Sequence, residues 1–374
     1  MNAAKGSYVP IAQPALVGNE IRYVEECLRS NWISSRGTFI DRFERSFAEF
    51  CNVRHAIACN TGTAALHTAL LALDIQHGDE VIMPSLTYIA SANVARYCGA
   101  EPVFADIHAD TWNIDPADVE RCISEKTKAI MAVHLFGLPA DMAALEEIAK
   151  THGVALIEDA AEAHGATYQD RKVGAIASGG AFSFYGNKII TTGEGGMFVT
   201  NNDELASRAR LLKGQGQDFQ RTYIFPVVGY NYRMTNIEAA IGLAQLEHVE
   251  SELVRRAAIA RRYRHNLEGV TGIKFQLSPP DTTSANWMVS VVLPIATVAE
   301  RENIMSYLKQ AGIETRPFFY PIHSMPPYAR YKARCLTVTN DIAKRGLCLP
   351  TWSGLANEDI DRVSNELLNA LEHA

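Results

Sequence analysis

The sequence predicts an α/β fold built on a doubly wound, mostly parallel sheet, and two observations support this prediction. Short apolar runs without polar alternation, such as residues 55–59 and 155–159, are typical of strands that are covered on both faces. Helix-like segments separate such runs through the first two thirds of the 374-residue chain. A sheet of this kind binds ligands at the carboxyl ends of its strands, so functional residues are expected there.

The predicted elements of the first part of the chain follow one another closely. Strands are predicted at residues 55–59, 80–84, 102–106, 129–133 and 155–159. Helices are predicted at residues 63–73, after an Asn-Thr-Gly turn, and at 89–97, with further helices between several of the later strands. This alternation favours a doubly wound domain.

The pattern changes near residue 245, where a long helix rich in Glu and Arg is predicted at 246–267. After it we predict a strand at 287–293, a helix at 298–311, an extended proline-rich piece at 315–327 and an amphipathic helix at 359–371. We therefore predict a large α/β domain at residues 1–245, followed at 246–374 by an interdomain helix and a smaller α+β domain. The opening residues, up to about residue 25, could join either domain.

Composition argues against several classes of protein. The chain is 47% hydrophobic and 21% charged with a net charge of −7, so it is globular and offers no basic surface to nucleic acid. No charged amino-terminal segment precedes a sustained apolar run, and no window is apolar enough to cross a bilayer. The seven cysteines are scattered without a CxxC pair, which argues against disulfides and a metal site. We expect a cytoplasmic enzyme that binds no nucleic acid, membrane or metal.

The turn Asn60-Thr-Gly-Thr63 joins the first predicted strand to the first predicted helix. Its glycine, Gly62, lets backbone N–H groups come close to an anion, and the helix start adds partial positive charge. The hydroxyl of Thr63 can donate a further hydrogen bond. Taken alone, however, the turn is better explained as a plain helix cap.

Other candidate residues also follow predicted strands. Asp159 ends the strand at 155–159 and Glu162 comes soon after, where a carboxylate either caps a helix or pairs with a buried cation. Tyr88 follows the strand at 80–84, and Ser183 lies between two phenylalanines. Lys188 occurs in an apolar, β-rich run, where it either reaches solvent from a strand end or is held without its charge for chemistry.

Together these residues would serve one kind of ligand, a flat, phosphorylated, cationic ring that carries an aldehyde. The ligand that needs a phosphate site, an aromatic face, a carboxylate at its ring nitrogen and a lysine at its aldehyde is pyridoxal 5′-phosphate (PLP). The carboxylate keeps the ring nitrogen protonated, so that the ring can accept electrons. A lysine whose pKa is lowered by desolvation can act as nucleophile and base near neutral pH. We therefore predict a PLP enzyme in which Lys188 binds the cofactor.

Linked motifs along nearly the whole chain carry a resemblance to a known family. These motifs are Gly62-Thr63, Glu158-Asp159-Ala-Ala-Glu162, Phe182-Ser-Phe-Tyr-Gly-Asn-Lys188, Thr192-Gly-Glu-Gly-Gly196 and Gly229-Tyr-Asn-Tyr-Arg-Met-Thr-Asn236. They resemble the DegT/DnrJ/EryC1/StrS family of PLP-dependent nucleotide-sugar aminotransferases. The resemblance implies a fold-type I transferase, with a mixed, mostly parallel sheet flanked by helices in the large domain.

The resemblance also implies which residues bind the cofactor, namely Gly62, Thr63, Tyr88, Asp159, Glu162, Ser183, Lys188 and Asn231. Lys188 would be the catalytic residue, Asp159 would pair with the ring nitrogen, and Tyr88 would stack on the ring. Gly62, Thr63 and Ser183 would hold the phosphate. Asn231 would reach the phosphate from a second subunit of a homodimer with shared active sites. Glu162 would lie near the ring hydroxyl.

Within that family, the chain looks most like members that aminate C4 of GDP-4-keto-6-deoxy-mannose, with glutamate as the expected amino donor, for surface polysaccharides such as O-antigen. The substrate-side candidates are Trp32, Ser34, Arg316 and His323. Amine transfer is favoured because related 3-dehydratases have histidine where this chain has Lys188. A UDP-linked 2-acetamido-4-keto-6-deoxyhexose is the alternative substrate. A non-catalytic PLP-binding regulator is the alternative of another class.

Overall fold

The computed structural model describes residues 8–331 and 334–372, so the part of the predicted large domain at residues 1–7 lies outside it. The helices are α1 (Glu20–Ser30), α2 (Thr38–Cys51), α3 (Gly62–Ala72), α4 (Ala90–Tyr97), α5 (Pro116–Cys122), α6 (Met142–His152), α7 (Asp203–Lys213), α8 (Asn236–Leu246), α9 (Val249–Asn266), α10 (Val298–Gln310), α11 (Thr337–Arg345) and α12 (Asn357–Glu372). The strands are β1 (His55–Cys59), β2 (Glu80–Pro84), β3 (Glu101–Ala105), β4 (Thr127–Val133), β5 (Ala155–Asp159), β6 (Thr167–Tyr168), β7 (Arg171–Lys172), β8 (Gly180–Ser183), β9 (Gly196–Thr200), β10 (Lys274–Phe275), β11 (Thr282–Thr283), β12 (Ser290–Val292), β13 (Arg316–Pro317) and β14 (Gly346–Cys348).

The central sheet has seven strands in the order β1-β9-β8-β5-β4-β2-β3. Strand β9 runs antiparallel to both of its neighbours, and the other neighbouring pairs are parallel. The prediction of a mixed, mostly parallel sheet flanked by helices is therefore confirmed. Strands β5 and β8 are adjacent, with Asp159 paired to Ala181, so their carboxyl ends meet at one edge of the sheet.

Apolar side chains at helical spacing explain how the helices cover this sheet. Helix α2 buries Phe39, Phe43 and Phe47, which recur every four residues and so lie on one face of the helix. The ring of Phe47 packs edge-on against Phe182 of β8, with 5.1 Å between the ring centroids. The strands of the central sheet are mostly apolar because helices cover both faces of the sheet.

The last third of the chain forms a four-stranded antiparallel sheet in the order β10-β12-β14-β13. Its apolar side chains pack with those of α9, α10 and α12 in a cluster of their own. The described part of the opening segment contacts both regions: Val9 exchanges backbone hydrogen bonds with Gly312 and Glu314, whereas α1 packs against α8. The domain division at residue 245 stays a prediction. Among the described helices, none has the length and apolar character that a membrane span requires.

Three predicted elements of the last third differ from those observed by more than one or two residues at an end. The helix predicted from residue 246 begins at Val249, because residues 247–248 form the turn between α8 and α9. The strand predicted at 287–293 is confined to Ser290–Val292, which matches the length of its neighbour β14. The piece at 315–327 is extended at Arg316–Pro317 and then forms 3₁₀ turns, since its prolines cannot donate to a ladder.

Within the apolar, β-rich run that contains it, Lys188 lies after the strand and not in it. Strand β8 ends at Ser183, and the backbone N–H of Lys188 donates to the carbonyl oxygen of Tyr185 at 2.8 Å. This hydrogen bond closes a turn. Lys188 therefore follows the carboxyl end of a parallel strand, where a ligand site is expected.

Candidate active site

A cavity of about 560 Å³ opens at the carboxyl ends of β5 and β8. Its wall combines residues of the central sheet with residues of the last third of the chain, including Trp287, Arg316 and Phe319. The predicted cofactor residues that line it are Gly62, Thr63, Tyr88, Asp159, Glu162, Ser183 and Lys188. Residues that are far apart in sequence thus meet around one space of the size expected for a small-molecule site.

The amine of Lys188 lies between a carboxylate and an aromatic ring. Its Nζ is 3.5 Å from Oε1 of Glu162 and 4.0 Å from the centroid of the Trp287 ring. The side chain is only 11% exposed. Burial lowers the pKa of Lys188 and the Arg316 guanidinium adds to this effect, while Glu162 and Asp159 oppose it. The amine is therefore tuned toward the neutral form that nucleophilic chemistry requires.

Glu162 is held from its other side by the backbone. Its Oε2 accepts a hydrogen bond from the N–H of Phe136 at 2.8 Å, so Oε1 is the oxygen that contacts Lys188. Burial raises the pKa of Glu162, although Lys188 and the Phe136 N–H act in the opposite direction. Phe136 has a φ of 57° within a tight turn that brings its N–H to this carboxylate.

Asp159 ends β5 and is fixed by two donors. The hydroxyl of Ser91, in α4, donates to its Oδ2 at 2.8 Å, and the N–H of Ala161 donates to its Oδ1 at 3.2 Å. Both side chains are buried. These hydrogen bonds stabilise the charged carboxylate in one orientation at the cavity wall. Sequence reasoning did not single out Ser91.

The start of α3 faces the same cavity beside Ser183. Thr61 caps the helix, since its side chain accepts the N–H of Ala64 at 3.0 Å. The N–H groups of Gly62 and Thr63 belong to the first turn, where the helix supplies no acceptor. A Cβ at position 62 would lie 2.6 Å from the Cβ of Ser183, so only glycine permits this close approach. The turn that leads into α3 therefore serves as a helix cap through Thr61 and also presents the N–H groups of the proposed anion site.

Aromatic rings form the apolar part of the cavity wall. Tyr88 and Phe319 meet edge to face with 6.0 Å between centroids, and Phe136 stacks on Phe319 at the same distance. The indole N–H of Trp287 donates to the carbonyl oxygen of Asn187 at 2.8 Å, which fixes the peptide next to Lys188. Sequence reasoning missed Phe136, Trp287 and Phe319, because nothing in the local pattern separates them from ordinary core aromatics.

Of the four residues predicted to contact substrate, one lies at the cavity and three do not. Arg316 lines the cavity, but Trp32, Ser34 and His323 do not. The imidazole of His323 is buried and its Nδ1 lies 2.7 Å from the hydroxyl of Ser85, so it ties the proline-rich piece to the end of β2. Trp32 and Ser34 are exposed, and their carbonyl oxygens accept hydrogen bonds from Asn236.

Asn231, the remaining predicted cofactor residue, also lies outside the lining of the cavity. It is exposed, and its side-chain oxygen accepts a hydrogen bond from Arg233 at 3.1 Å. Its backbone carbonyl oxygen accepts a hydrogen bond from the Asn60 side chain at 3.4 Å, so Asn231 lies next to the turn that leads into α3, although it does not line the cavity of its own chain.

The residues around the cavity fit the chemical demands of PLP. The amine of Lys188, tuned toward neutrality, suits the aldehyde, and the carboxylate of Asp159, held by two donors, suits the ring nitrogen. The N–H groups at the start of α3 suit the phosphate. The aromatic wall suits the face of the ring. A doubly wound sheet with these groups at its strand ends defines the class of fold-type I PLP-dependent transferases.

Comparison with known proteins identifies the family within that class. Residues 14–368 match the model of the DegT/DnrJ/EryC1/StrS aminotransferase family, so the chain belongs to this family. It is 50% identical to GDP-perosamine synthase of Caulobacter vibrioides, over 95% of this chain and 96% of that protein. It is 47% identical to GDP-perosamine synthase of Escherichia coli O157:H7, over 94% and 96%.

A solved structure extends this similarity to the fold. The PLP form of Spr1654 from Streptococcus pneumoniae superposes with a TM-score of 0.91 at 29% identity, covering 98% of each chain. The predictions of a fold-type I enzyme and of its cofactor are confirmed. The protein is a PLP-dependent sugar aminotransferase.

Proposed function

We propose that this enzyme transfers an amino group to C4 of GDP-4-keto-6-deoxy-mannose and so forms GDP-perosamine for a surface polysaccharide such as O-antigen. The observation that carries the proposal is the 50% and 47% identity, over almost the full length, to two GDP-perosamine synthases. Glutamate is the proposed amino donor and the cytoplasm the proposed location. The nucleotide sugar and the amino acid are the expected partners.

The proposed roles of the cavity residues follow from their chemistry. When bound, PLP supplies an aldehyde that takes up the amino group and a protonated ring that accepts electrons. Asp159, oriented by Ser91, would pair with the ring nitrogen and keep it protonated, and Tyr88 would offer a face to the ring. The first-turn N–H groups of α3, with the hydroxyls of Thr63 and Ser183, hold the phosphate.

Lys188 has two tasks in the proposed reaction. Its neutral amine would hold the cofactor through the aldehyde, and the same amine would take a proton from the α-carbon of the amino acid. It later delivers a proton to C4 of the sugar. Burial between Glu162 and Trp287 keeps water away from the amine during both transfers. Arg316, a cation on the cavity wall, is suited to an anionic group of either substrate.

We further propose a homodimer in which Asn231 reaches the phosphate site of the partner subunit. Two observations support it. Asn231 is exposed and does not line the cavity of its own chain. The preceding loop exposes Phe219, Tyr223 and Val228, and large apolar side chains of this kind are commonly covered at protein interfaces. Trp32 and Ser34, on another exposed segment, would then approach substrate at the same interface.

A substrate panel tests the function. Purified enzyme is incubated with glutamate and either GDP-4-keto-6-deoxy-mannose or a UDP-linked 2-acetamido-4-keto-6-deoxyhexose, and the products are identified by mass. The expected result is amination of the GDP-linked sugar alone. Preferential amination of the UDP-linked sugar would refute the substrate assignment, and absence of any amine transfer would favour a PLP-binding regulator.

The Lys188→Ala variant tests the role of the lysine in the same assay. Without the amine, the protein should lose the visible absorbance of the covalently bound cofactor and all measurable turnover, because the nucleophile and the base are both removed. Absorbance spectra and product masses are the measurements. An active variant with an unchanged spectrum would contradict the proposal.

A further inference from the structure

Glu162 is the described carboxylate in direct contact with the amine of Lys188, at 3.5 Å. Both side chains are buried: the exposed fraction is 7% for Glu162 and 11% for Lys188. A fully separated ion pair at such a depth is costly, because both charges lose their water. A pair that can exchange its proton avoids part of that cost.

We propose that Glu162 shares one proton with Lys188 and acts as its local proton store. The exchange is balanced within the pair: one proton leaves the ammonium Nζ for Oε1 of Glu162, which leaves a neutral amine and a neutral carboxylic acid. The reverse transfer restores the ion pair. This role rests on the proposed function of Lys188, since an amine that must attack an aldehyde and then move protons needs both protonation states.

The geometry around Glu162 suits this exchange. The Phe136 N–H holds Oε2, so Oε1 stays directed to the amine instead of rotating away. Trp287 lies against the opposite side of the amine at 4.0 Å and limits its movement. The lysine can therefore return to the same oxygen after each step.

The other ionisable groups around the pair do not replace this partner. Asp159 acts on Lys188 only at longer range and is already bonded to Ser91, while Arg316 is a cation. Burial lowers the pKa of His164 to about 3, so its imidazole is neutral. Burial raises the pKa of Cys348 to about 12, so its thiol is neutral as well. Among the described groups, Glu162 is thus the one suited to exchange a proton with Lys188.

The test begins with the cofactor-free protein, in which the reactivity of Lys188 reports its neutral fraction. Lys188 is labelled with acetic anhydride across a pH series, and the labelled peptide is quantified by mass spectrometry. In Glu162→Gln the amine loses the anion that stabilises its charge. Its pKa should fall by about one unit, and labelling below that pKa should rise about tenfold. Gln retains an oxygen for the Phe136 N–H, so the turn is preserved.

Glu194→Gln is the matched control, because Glu194 lines the same cavity but is exposed to solvent. Its labelling profile should equal that of the wild type. Equal profiles for wild type and Glu162→Gln would overturn the proposal. An equal rise in both variants would also overturn it, because the effect would then be a general one of cavity charge.

A second measurement uses the holoenzyme and glutamate alone. The rate of the first half-reaction, followed by cofactor absorbance, should show an acid limb that moves about one pH unit lower in Glu162→Gln, with a lower maximal rate. An unmoved limb would count against proton sharing. The labelling result needs neither cofactor nor sugar, so an error in the substrate assignment would leave it unchanged.

Discussion

At the scale of single residues, the site depends on side chains that hold the reactive groups in place. Ser91 is the clearest example, because its hydroxyl bonds Asp159 in a fully buried position. Removing one partner of a buried, charge-assisted hydrogen bond destabilises the site, because the other partner is then left buried without a hydrogen bond. Ser91 therefore acts as a positioning residue for the carboxylate.

We expect Ser91→Ala to weaken cofactor binding about 10- to 100-fold, because a hydrogen bond to a charged group contributes roughly 1.5–3 kcal/mol. Asp159 would keep only the Ala161 N–H and would hold the ring nitrogen less firmly. The measurement is a titration of cofactor-free protein with PLP, followed by absorbance. The control is Ser364→Ala, which removes another buried hydroxyl, in α12, remote from the cavity. An unchanged dissociation constant for Ser91→Ala would contradict the assigned role.

At the scale of elements, a charged network joins α2, β1 and α7 at the edge of the sheet. Glu44 of α2 accepts hydrogen bonds from the Ala58 N–H at 2.8 Å, from Arg210 at 2.7 Å and from Lys213 at 3.1 Å. Burial by itself favours the neutral acid, but Lys213 and Arg210 outweigh it, so the pKa of Glu44 lies below its ordinary value of 4.5. This network positions β1, from which the chain continues into the start of α3.

The lowered pKa fixes the sign of a pH dependence. A carboxylate with a depressed folded-state pKa stabilises the protein above its unfolded-state pKa, and this stabilisation is lost as pH falls through the folded-state pKa. The wild type should therefore lose stability below pH 4.5, and Glu44→Gln should lose less on the same acidification. At neutral pH the variant should be less stable by about 3 kcal/mol, because two cations lose their partner.

Denaturant unfolding at a series of pH values measures this free energy. The control is Glu49→Gln, an exposed position of the same helix, which should change stability by no more than about 0.5 kcal/mol. Parallel pH profiles for Glu44→Gln and wild type would show that the network does not contribute in this way.

At the scale of the whole molecule, the proposed shared site makes each active site depend on two chains. Each chain would contribute Lys188 to its own active site and Asn231 to the active site of its partner, since Lys188 lines the cavity of its own chain and Asn231 does not. A symmetric dimer would place each Asn231 at the partner's cavity.

We expect Lys188→Ala and Asn231→Ala to be severely impaired as homodimers but to complement each other. In a heterodimer, one site carries both defects and the other carries none, so roughly half of the wild-type activity should return. Co-expression with two different affinity tags and purification over both isolates the heterodimer for assay. An inactive heterodimer would show that Asn231 serves its own chain, and a fully active Asn231→Ala homodimer would show that it serves neither.

Much of the fold could be predicted because its signals are local. The strands β1, β2 and β5 were predicted at their observed bounds, since a buried parallel strand is a short apolar run that ends at turn residues. The predicted bounds of the elements in the last third of the chain agree less well with the observed ones. Their strands are only two or three residues long, and tertiary pairing rather than sequence pattern decides where they begin and end.

The sequence by itself determined which reactive groups the site contains: an amine, a carboxylate and a helix-start turn, each at or after the carboxyl end of a strand of the central sheet. Only the tertiary structure decided what surrounds them. Trp287 lies 100 residues after Asn187, yet bonds its carbonyl oxygen, and Ser91 lies 68 residues before Asp159. Such contacts leave no local pattern, because packing between distant elements determines the burial and hydrogen bonding that tune Lys188.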